Sequence, residues 1–462
     1  MKSLKFRNAT QSLISKLVAV GVIAMTAFGT HLQSQAQSAT IEEVTYRSHV
    51  ASIINENCVV CHREGGIAPM QLTSYEQVRP WAPVIGHKVE RREMPPYAYD
   101  QGIGIQHLIG DWRLEQSDID TIIAWVGQGA PDGNTDVAVP PAIVPSLEQW
   151  NFEAQLGPPH LVLASEPIDI PATGADMWHR PYTLTGLGDT RCIKAMQVKP
   201  KGAAQAVVHH ANSSVEVLRD DGSYERFSQL TEYAMGKWGE MMPDGVCRTL
   251  PPNGRIAWDI HMYPGGLGAM APGQMIEANV VELGIWFYDE GYQDQARYTQ
   301  DLKLYRLGAQ VDLVIPPHGY EMTQGFHSFD HPVRIDSFQP HGHLRMRAAS
   351  LEIFYPQTGR TEPISQVSNW SAVWHHNHIY EPDVAPLVPT GAVLVLKQWY
   401  DNTAQNPYNP DPDQWVMGGS RTADEMTHAW LAVTHLDEAG YQELLAERGQ
   451  ARTEGNVVTS AR

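Results

Sequence analysis

A small helical domain followed by two antiparallel β-sandwich (jelly-roll) domains is the fold this sequence predicts, and three observations predict it. Residues 40–135 carry apolar positions at helical spacing. From Trp150 onward, short apolar or alternating runs are separated by Gly/Pro/Asn/Asp clusters, the pattern of sandwiches and jelly rolls. Ile315-Pro316-Pro317 then divides that second region near its middle. A chain of 462 residues is too long for one ordinary core and calls for about three domains. Its 38 glycines and 32 prolines favour turn-rich β structure over long helices. The net charge of −19 repels phosphate, which argues against a nucleic-acid partner.

At the N-terminus, Lys2, Lys5, Arg7 and Lys16 precede the apolar run Leu17 to Gly29, and Ser34-Gln35-Ala36 follows with the small residues a signal peptidase needs. Residues 1–36 therefore read as a signal peptide. The apolar stretch falls short of the ~20 residues of a membrane span, though an uncleaved anchor is the alternative. No later stretch is apolar enough to cross a bilayer, and the expected location is the periplasm or the exterior. Of four cysteines, Cys58 and Cys61 share one motif. Cys192 and Cys247 are left over, and in an oxidising compartment they most simply form a disulfide.

In residues 40–135, Val50, Ile53, Ile54 and Cys58 predict one helix. A second has Ser117 as cap, Asp120 at the capping-box position and Ile119, Ile122, Ile123 and Val126 as its apolar stripe; Gly127 and Gly129 stop it, with Pro131 beyond. Proline and small residues from Pro131 to Pro145 mark a semi-stiff linker, bounded at 136–149. The sandwiches are expected over 150–312 and 313–438, with strands in Ala206-Val207-Val208, Val280 to Phe287 and Val393 to Leu396. Residues 439–462 should form a short helix, Ala439 to Arg448, and an unstructured tail.

Cys58-Val59-Val60-Cys61-His62 is the attachment sequence for c-type haem: two thiols add to the porphyrin and His62 ligates iron. The competing reading is a redox dithiol beside a chance histidine. With haem, residues 40–135 become a cytochrome c domain. Met94 is the expected distal ligand, with Met70 and His87 as competitors; a methionine there favours electron transfer.

Three histidine groups stand out among twenty. His209 and His210 are adjacent, His261 lies in Asp259-Ile260-His261-Met262-Tyr263, and His341-Gly342-His343 alternates, so a strand points both rings one way. Gly342 is expected to keep that stretch slim enough for a metal and a ligand. Imidazole suits copper, zinc or iron, and an added thioether favours copper. His209 and His210 would face opposite sides of a regular strand and can share an ion only where the strand bends, bulges or ends. Trp374-His375-His376-Asn377-His378 reads as a solvated loop, and His318, His327, His331 and His428 as ordinary non-ligand histidines.

The order His-His, His-Met-Tyr, His-x-His and then Gly418-Gly419-Ser420-Arg421-Thr422-Ala423-Asp424-Glu425-Met426 resembles the copper type II, ascorbate-dependent monooxygenases, the family of peptidylglycine α-hydroxylating and dopamine β-monooxygenases. It resembles most the bacterial members with a fused N-terminal cytochrome c domain, through Ile67-Ala68-Pro69-Met70, Arg79-Pro80-Trp81 and Tyr400-Asp401-Asn402-Thr403 with Asn406-Pro407. The resemblance covers about residues 40 to 438 and implies two antiparallel eight-stranded sandwiches with a metal cleft between them. It implies that His209, His210 and His261 hold an electron-relaying copper, and that His341, His343 and Met426 hold the copper that meets dioxygen and substrate.

The implied activity is O2-dependent hydroxylation of a C–H bond in a small organic substrate. Electrons would come through the haem from an external donor, a redox protein or an ascorbate-like reductant. Trp374 to His378 departs from the family, and no substrate-holding residues map across. A non-catalytic electron-transfer or copper-binding cytochrome is the alternative.

Overall fold

A computed structural model describes residues 43–63, 68, 70–141, 149–171, 174, 177–234, 239–262, 275–308, 312–372 and 374–455. The leader at 1–36, Ile67, Pro69, Tyr263, much of the linker and the last residues of the tail lie outside them. Among the described residues β structure predominates, in several sheets.

Helices occupy the N-terminal part. A π-helical turn, Tyr46–Val50, runs into helix Ala51–Asn57, and Ala82–Glu90 and Gln116–Gly127 follow. Val50, Ile54, Val78, Ile119, Ile122 and Trp125 close one small core. Ser117 is not the cap. The cap position belongs to Glu115, whose extended backbone precedes the first turn, while the Ser117 carbonyl is already inside the helix and accepts from Thr121 Oγ1. Asp120 pairs with Gln116 one turn back instead of closing a capping box.

Between helices Ala82–Glu90 and Gln116–Gly127 the chain is extended and leaves the helical core. Tyr97, Tyr99 and Leu108 are buried in the core of the C-terminal sheets, and Leu108–Ile109 pairs with His378–Tyr380. Backbone bonds from Asp100 to Gln366 and from Ile105 to Ile364 extend this docking.

Two sheet-on-sheet cores make up the rest. In the first, Ile193, Met196, Leu283 and Ile285 from one sheet meet Val215, Leu230, Ile256 and Ile260 from the other. In the second, a four-stranded antiparallel sheet (Tyr320–Ser328, Val393–Asp401, Met346–Tyr355, Arg360–Val367) faces strands Val333–His341 and His428–His435. Leu351, Ile353, Leu394 and Leu396 pack there against Ile335, Phe338, Leu431 and Val433.

One sheet runs through both halves. Strand Tyr298–Arg306 pairs with His428–His435 on one side and touches Tyr224–Ala234 and Val246–Leu250 on the other. The Val246–Tyr298 pairing is parallel, so the architecture is not purely antiparallel. The C-terminal helix runs Glu438–Gly455, well past the expected Arg448.

Cys192 and Cys247 form a disulfide across 55 residues of sequence. Closing a loop of that length should contribute on the order of 4 kcal/mol in the chain-entropy account. Replacing both cysteines with alanine is expected to lower the urea midpoint markedly while far-UV circular dichroism in buffer stays the same; an unmoved midpoint would contradict this.

Candidate metal centre and haem-attachment turn

Strand Gly254–Met262 sends Ile256, Trp258 and Ile260 into the first core, which leaves Asp259 and His261 on the opposite face. Its neighbour Val208–Leu218 sends Ala211 and Val215 inward, so regular pleating would point His209 inward as well. Between these strands His261 pairs with His210, and Met262 then pairs with Val208. His209 is thus the extra residue of a bulge, and both imidazoles face one cavity. Donor atoms of His209, His210 and His261 lie within 4.8 Å of one another. The Ala372 carbonyl, 2.8 Å from His209 Nε2, holds that ring from behind, and Trp178 stacks on His261 at 4.5 Å.

His341 ends strand Val333–His341 directly opposite His428, which stacks on it at 4.6 Å. The His343 ring centroid lies 5.7 Å from that of His341. His343 Nδ1 is 3.0 Å from the Asp424 carbonyl, and donation there would make Nε2 the nitrogen that could bind a metal. The loop that delivers Met426 is tied to this pair. Glu425, fully buried, accepts the backbone N–H of His343 at 2.7 Å and that of Arg345. The Tyr400 hydroxyl donates to the Met426 carbonyl at 2.8 Å, and Asn406 Nδ2 donates to the Leu344 carbonyl at 3.0 Å. Tyr400 and Asn406 of the resemblance motifs are therefore braces around the site.

All six expected ligands line a single cavity of about 340 Å³. Gly342 serves a different purpose from the one expected. A Cβ at this position would collide with the Met346 side chain, so the glycine makes room for core packing.

Further residues enter the same cavity. His375, Glu232 and His428 line it, and donor atoms of Glu232, His341 and His375 form a second group within 4.8 Å. The run Trp374 to His378 is not a solvated loop. His375, His376 and His378 are all buried, because the extended segment at 95–109 covers one side of them and the cavity lies on the other. His376 bonds to the Pro96 carbonyl, and His378 packs on Tyr97 and Tyr99. His428 is likewise buried, inside the shared sheet. His318 is exposed and His327 and His331 half-buried. The unusual density of histidine between Trp374 and Tyr380 was the available signal; nothing in its spacing shows that neighbouring histidines serve opposite sides.

At Cys58-Val59-Val60-Cys61-His62, Cys58 follows helix Ala51–Asn57, and the N–H groups of Cys61 and His62 both donate to its carbonyl, making one tight turn. His62 Nδ1 lies 3.1 Å from the Met70 carbonyl, which orients the ring and leaves Nε2 for a metal. Met70 thereby supports His62 through its backbone carbonyl. Met94 lines a separate cavity of about 380 Å³ with Tyr97, Arg113 and Leu114, and the lining does not include Cys58, Cys61 or His62. His87 is exposed on helix Ala82–Glu90. Burial pushes the Cys58 and Cys61 thiols up to about 12 and about 11, the opposite of a reactive redox dithiol. Cys61 also lies close enough to Tyr233 to help raise its pKa, after burial, and Tyr233 adjoins the cavity residue Glu232.

Burial, with repulsion from neighbouring imidazoles, holds His210, His341 and His375 well below the usual histidine range. Burial also lowers His376 to about 4 and His428 to about 3. It raises Glu425 to about 7 against the N–H bonds it accepts. In the unfolded chain each histidine titrates near 6.5, so below that pH the unfolded state binds more protons and stability falls, down to each folded pKa. Glu425 acts in the opposite sense, its contribution being full below about 4.5 and lost as pH rises through about 7. Five histidines outweigh one carboxyl. The urea midpoint of chelator-treated protein is expected to drop progressively from pH 6.5 to 5, and a flat midpoint would contradict neutral buried rings.

No protein-family profile matches the chain, and no curated protein does. Among solved structures it is similar to the VP2 subviral particle of infectious bursal disease virus, with 8% identity over 62% of this chain and 74% of that one, at a TM-score of 0.18. It is also similar to the tandem CBM22 domain of Xyn10C from Paenibacillus barcinonensis, with 12% identity over 57% of this chain and 86% of that one, at a TM-score of 0.14. Likenesses at these scores carry no argument about function.

Proposed function

We propose that this chain is an exported, dicopper, O2-dependent monooxygenase that hydroxylates a C–H bond of a small organic substrate. In this reading a cytochrome c domain precedes two jelly-roll sandwiches. His209, His210 and His261 hold one copper, and His341, His343 and Met426 hold the other. The observation that carries the reading is the convergence of all six, from four separate chain segments, on one cavity. The ligand types fit copper: His210 Nδ1 and His341 Nδ1 are buried without a hydrogen bond, and imidazole with thioether is a copper donor set. The attachment turn fits haem, since Cys58, Cys61 and His62 share one tight turn and His62 is oriented through Nδ1.

When bound, the two coppers would supply dioxygen with one electron each and the haem would replace those electrons singly. The protein's own part is positioning and exclusion of water. Trp178 and the Ala372 carbonyl fix His261 and His209, while Glu425 and Asp424 fix the His343 backbone and ring. A volume of about 340 Å³ lies at the small end of the ~300–1,000 Å³ typical of small-molecule sites, which limits substrate size. Cys61 lies near Tyr233, next in sequence to Glu232, and Tyr97, three residues after Met94, touches His376 beside His375; both contacts support a route from a haem on this segment towards the cavity. An external redox protein or small reductant would feed the haem.

Chelation followed by copper reconstitution tests the reading. Purified protein should contain one iron and two coppers, lose O2 consumption on chelation and regain it with copper. Stoichiometric iron without copper would leave only a cytochrome.

A further inference from the structure

We propose that Glu232, His341 and His375 form a metal position of two imidazoles and one carboxylate that takes a divalent first-row ion and shares His341 with His343 and Met426. The inference deepens the dicopper reading and rests on it for the choice of copper as the ion. Donor atoms of the three residues lie within 4.8 Å of one another, and all three residues are buried. They arrive from three places: strand Tyr224–Ala234, the end of strand Val333–His341, and the segment after Trp374.

Each is held by a neighbour that leaves the donor in place. Gln339, two residues before His341 on the same face of its strand, donates to the Glu232 carboxylate. His428 stacks on His341, and Trp370 packs against His375 at 5.3 Å. The rings of His341 and His375 meet edge to face at 4.8 Å, with His341 Nδ1 buried and not hydrogen-bonded. The position adjoins the three-histidine set, for Glu232 Oε1 lies 4.0 Å from His210 Nδ1 and His375 stacks on His210 at 5.8 Å.

Ligand softness gives the two arrangements around His341 different tasks. A carboxylate with two imidazoles suits the harder copper(II), whereas two imidazoles with a thioether suit copper(I). The ion bound through His341 therefore leans on Glu232 and His375 when oxidised and on His343 and Met426 when reduced. The expected ligands keep the reduced ion, and the two added ones, Glu232 and His375, both serve the oxidised ion.

The test titrates chelator-stripped, haem-bearing full chain with copper(II) alone and, anaerobically, with copper(I) alone, for wild type, His375→Gln and Glu232→Gln. Both variants keep side-chain size, and unchanged haem absorption and circular dichroism confirm folding. Each is expected to weaken one of the two copper(II) sites tenfold or more and to change its EPR hyperfine splitting, while copper(I) affinity stays within about twofold. Either variant binding copper(II) as wild type does, with an unaltered EPR spectrum, overturns the position. Failure of the monooxygenase reading registers separately, as absent O2 consumption in protein whose copper(II) binding still depends on His375 and Glu232.

Discussion

Met426→Ile is expected to lower substrate-dependent O2 consumption by on the order of 10²-fold or more while leaving the fold and the reduction of the haem intact. Isoleucine is close to methionine in volume, and such exchanges usually cost under about 1.5 kcal/mol. The backbone at this position is held independently of the side chain, through the Tyr400 hydroxyl on the Met426 carbonyl and through Glu425 on the N–H groups of His343 and Arg345. The substitution therefore removes one thing from the cavity, a polarizable thioether beside His341 and His343. In the proposed dicopper reading, that sulfur is the donor that would favour the cuprous state. The measurement is an oxygen-electrode assay with candidate substrates, paired with haem reduction followed by absorbance. Undiminished turnover would remove Met426 from the ligand set; lost haem reduction would mean that the variant had damaged the electron supply instead.

The parts of this molecule that were legible in its sequence are those governed by local rules. Helices around Ile54 and Ile122 follow from apolar spacing, and the strand at Val281–Phe287 from its β-rich run between turn residues. The pairing of Cys192 with Cys247 follows from counting thiols in a chain whose sequence reads as exported. The requirement for a break in pleating at His209-His210 was also legible, because two adjacent side chains of a regular strand cannot share a face, and the register skips at that point. What stayed hidden depends on what lies across from a residue. His375 and Glu232 are 143 positions apart in sequence, and only the pairing of distant strands brings them together. Gly342 was assigned to the metal by its neighbours in sequence, whereas its neighbour in space is Met346. The burial of Trp374 to His378 could not be foreseen either, since its cover comes from Tyr97 and Tyr99, on a segment that sequence alone assigns to the helical domain.

Arg248→Leu should cost about 3–5 kcal/mol of stability, the range for removing one partner of a buried ion pair. The Arg248 and Glu240 side chains are only 4% and 6% exposed, and their N–O distance is 2.8 Å. The same guanidinium donates to the Leu230 carbonyl at 2.8 Å and to Gln300, which bonds in turn to Asp336, and Asp336 pairs with Arg334 at 2.6 Å. These residues come from both halves of the chain, so the network fastens the shared sheet where the two cores meet. Leucine would take the guanidinium from the buried Glu240 carboxylate, which also accepts from the Thr231 hydroxyl. Because Leu230 and Thr231 immediately precede Glu232, the damage should reach the cavity as weaker copper(II) binding as well as a lower urea midpoint. The double variant Arg248→Leu with Glu240→Leu separates charge from packing: removing both charges should restore much of the midpoint. If the single variant unfolds at the wild-type urea concentration, the seam is held by its apolar contacts, and the polar network contributes register without strength.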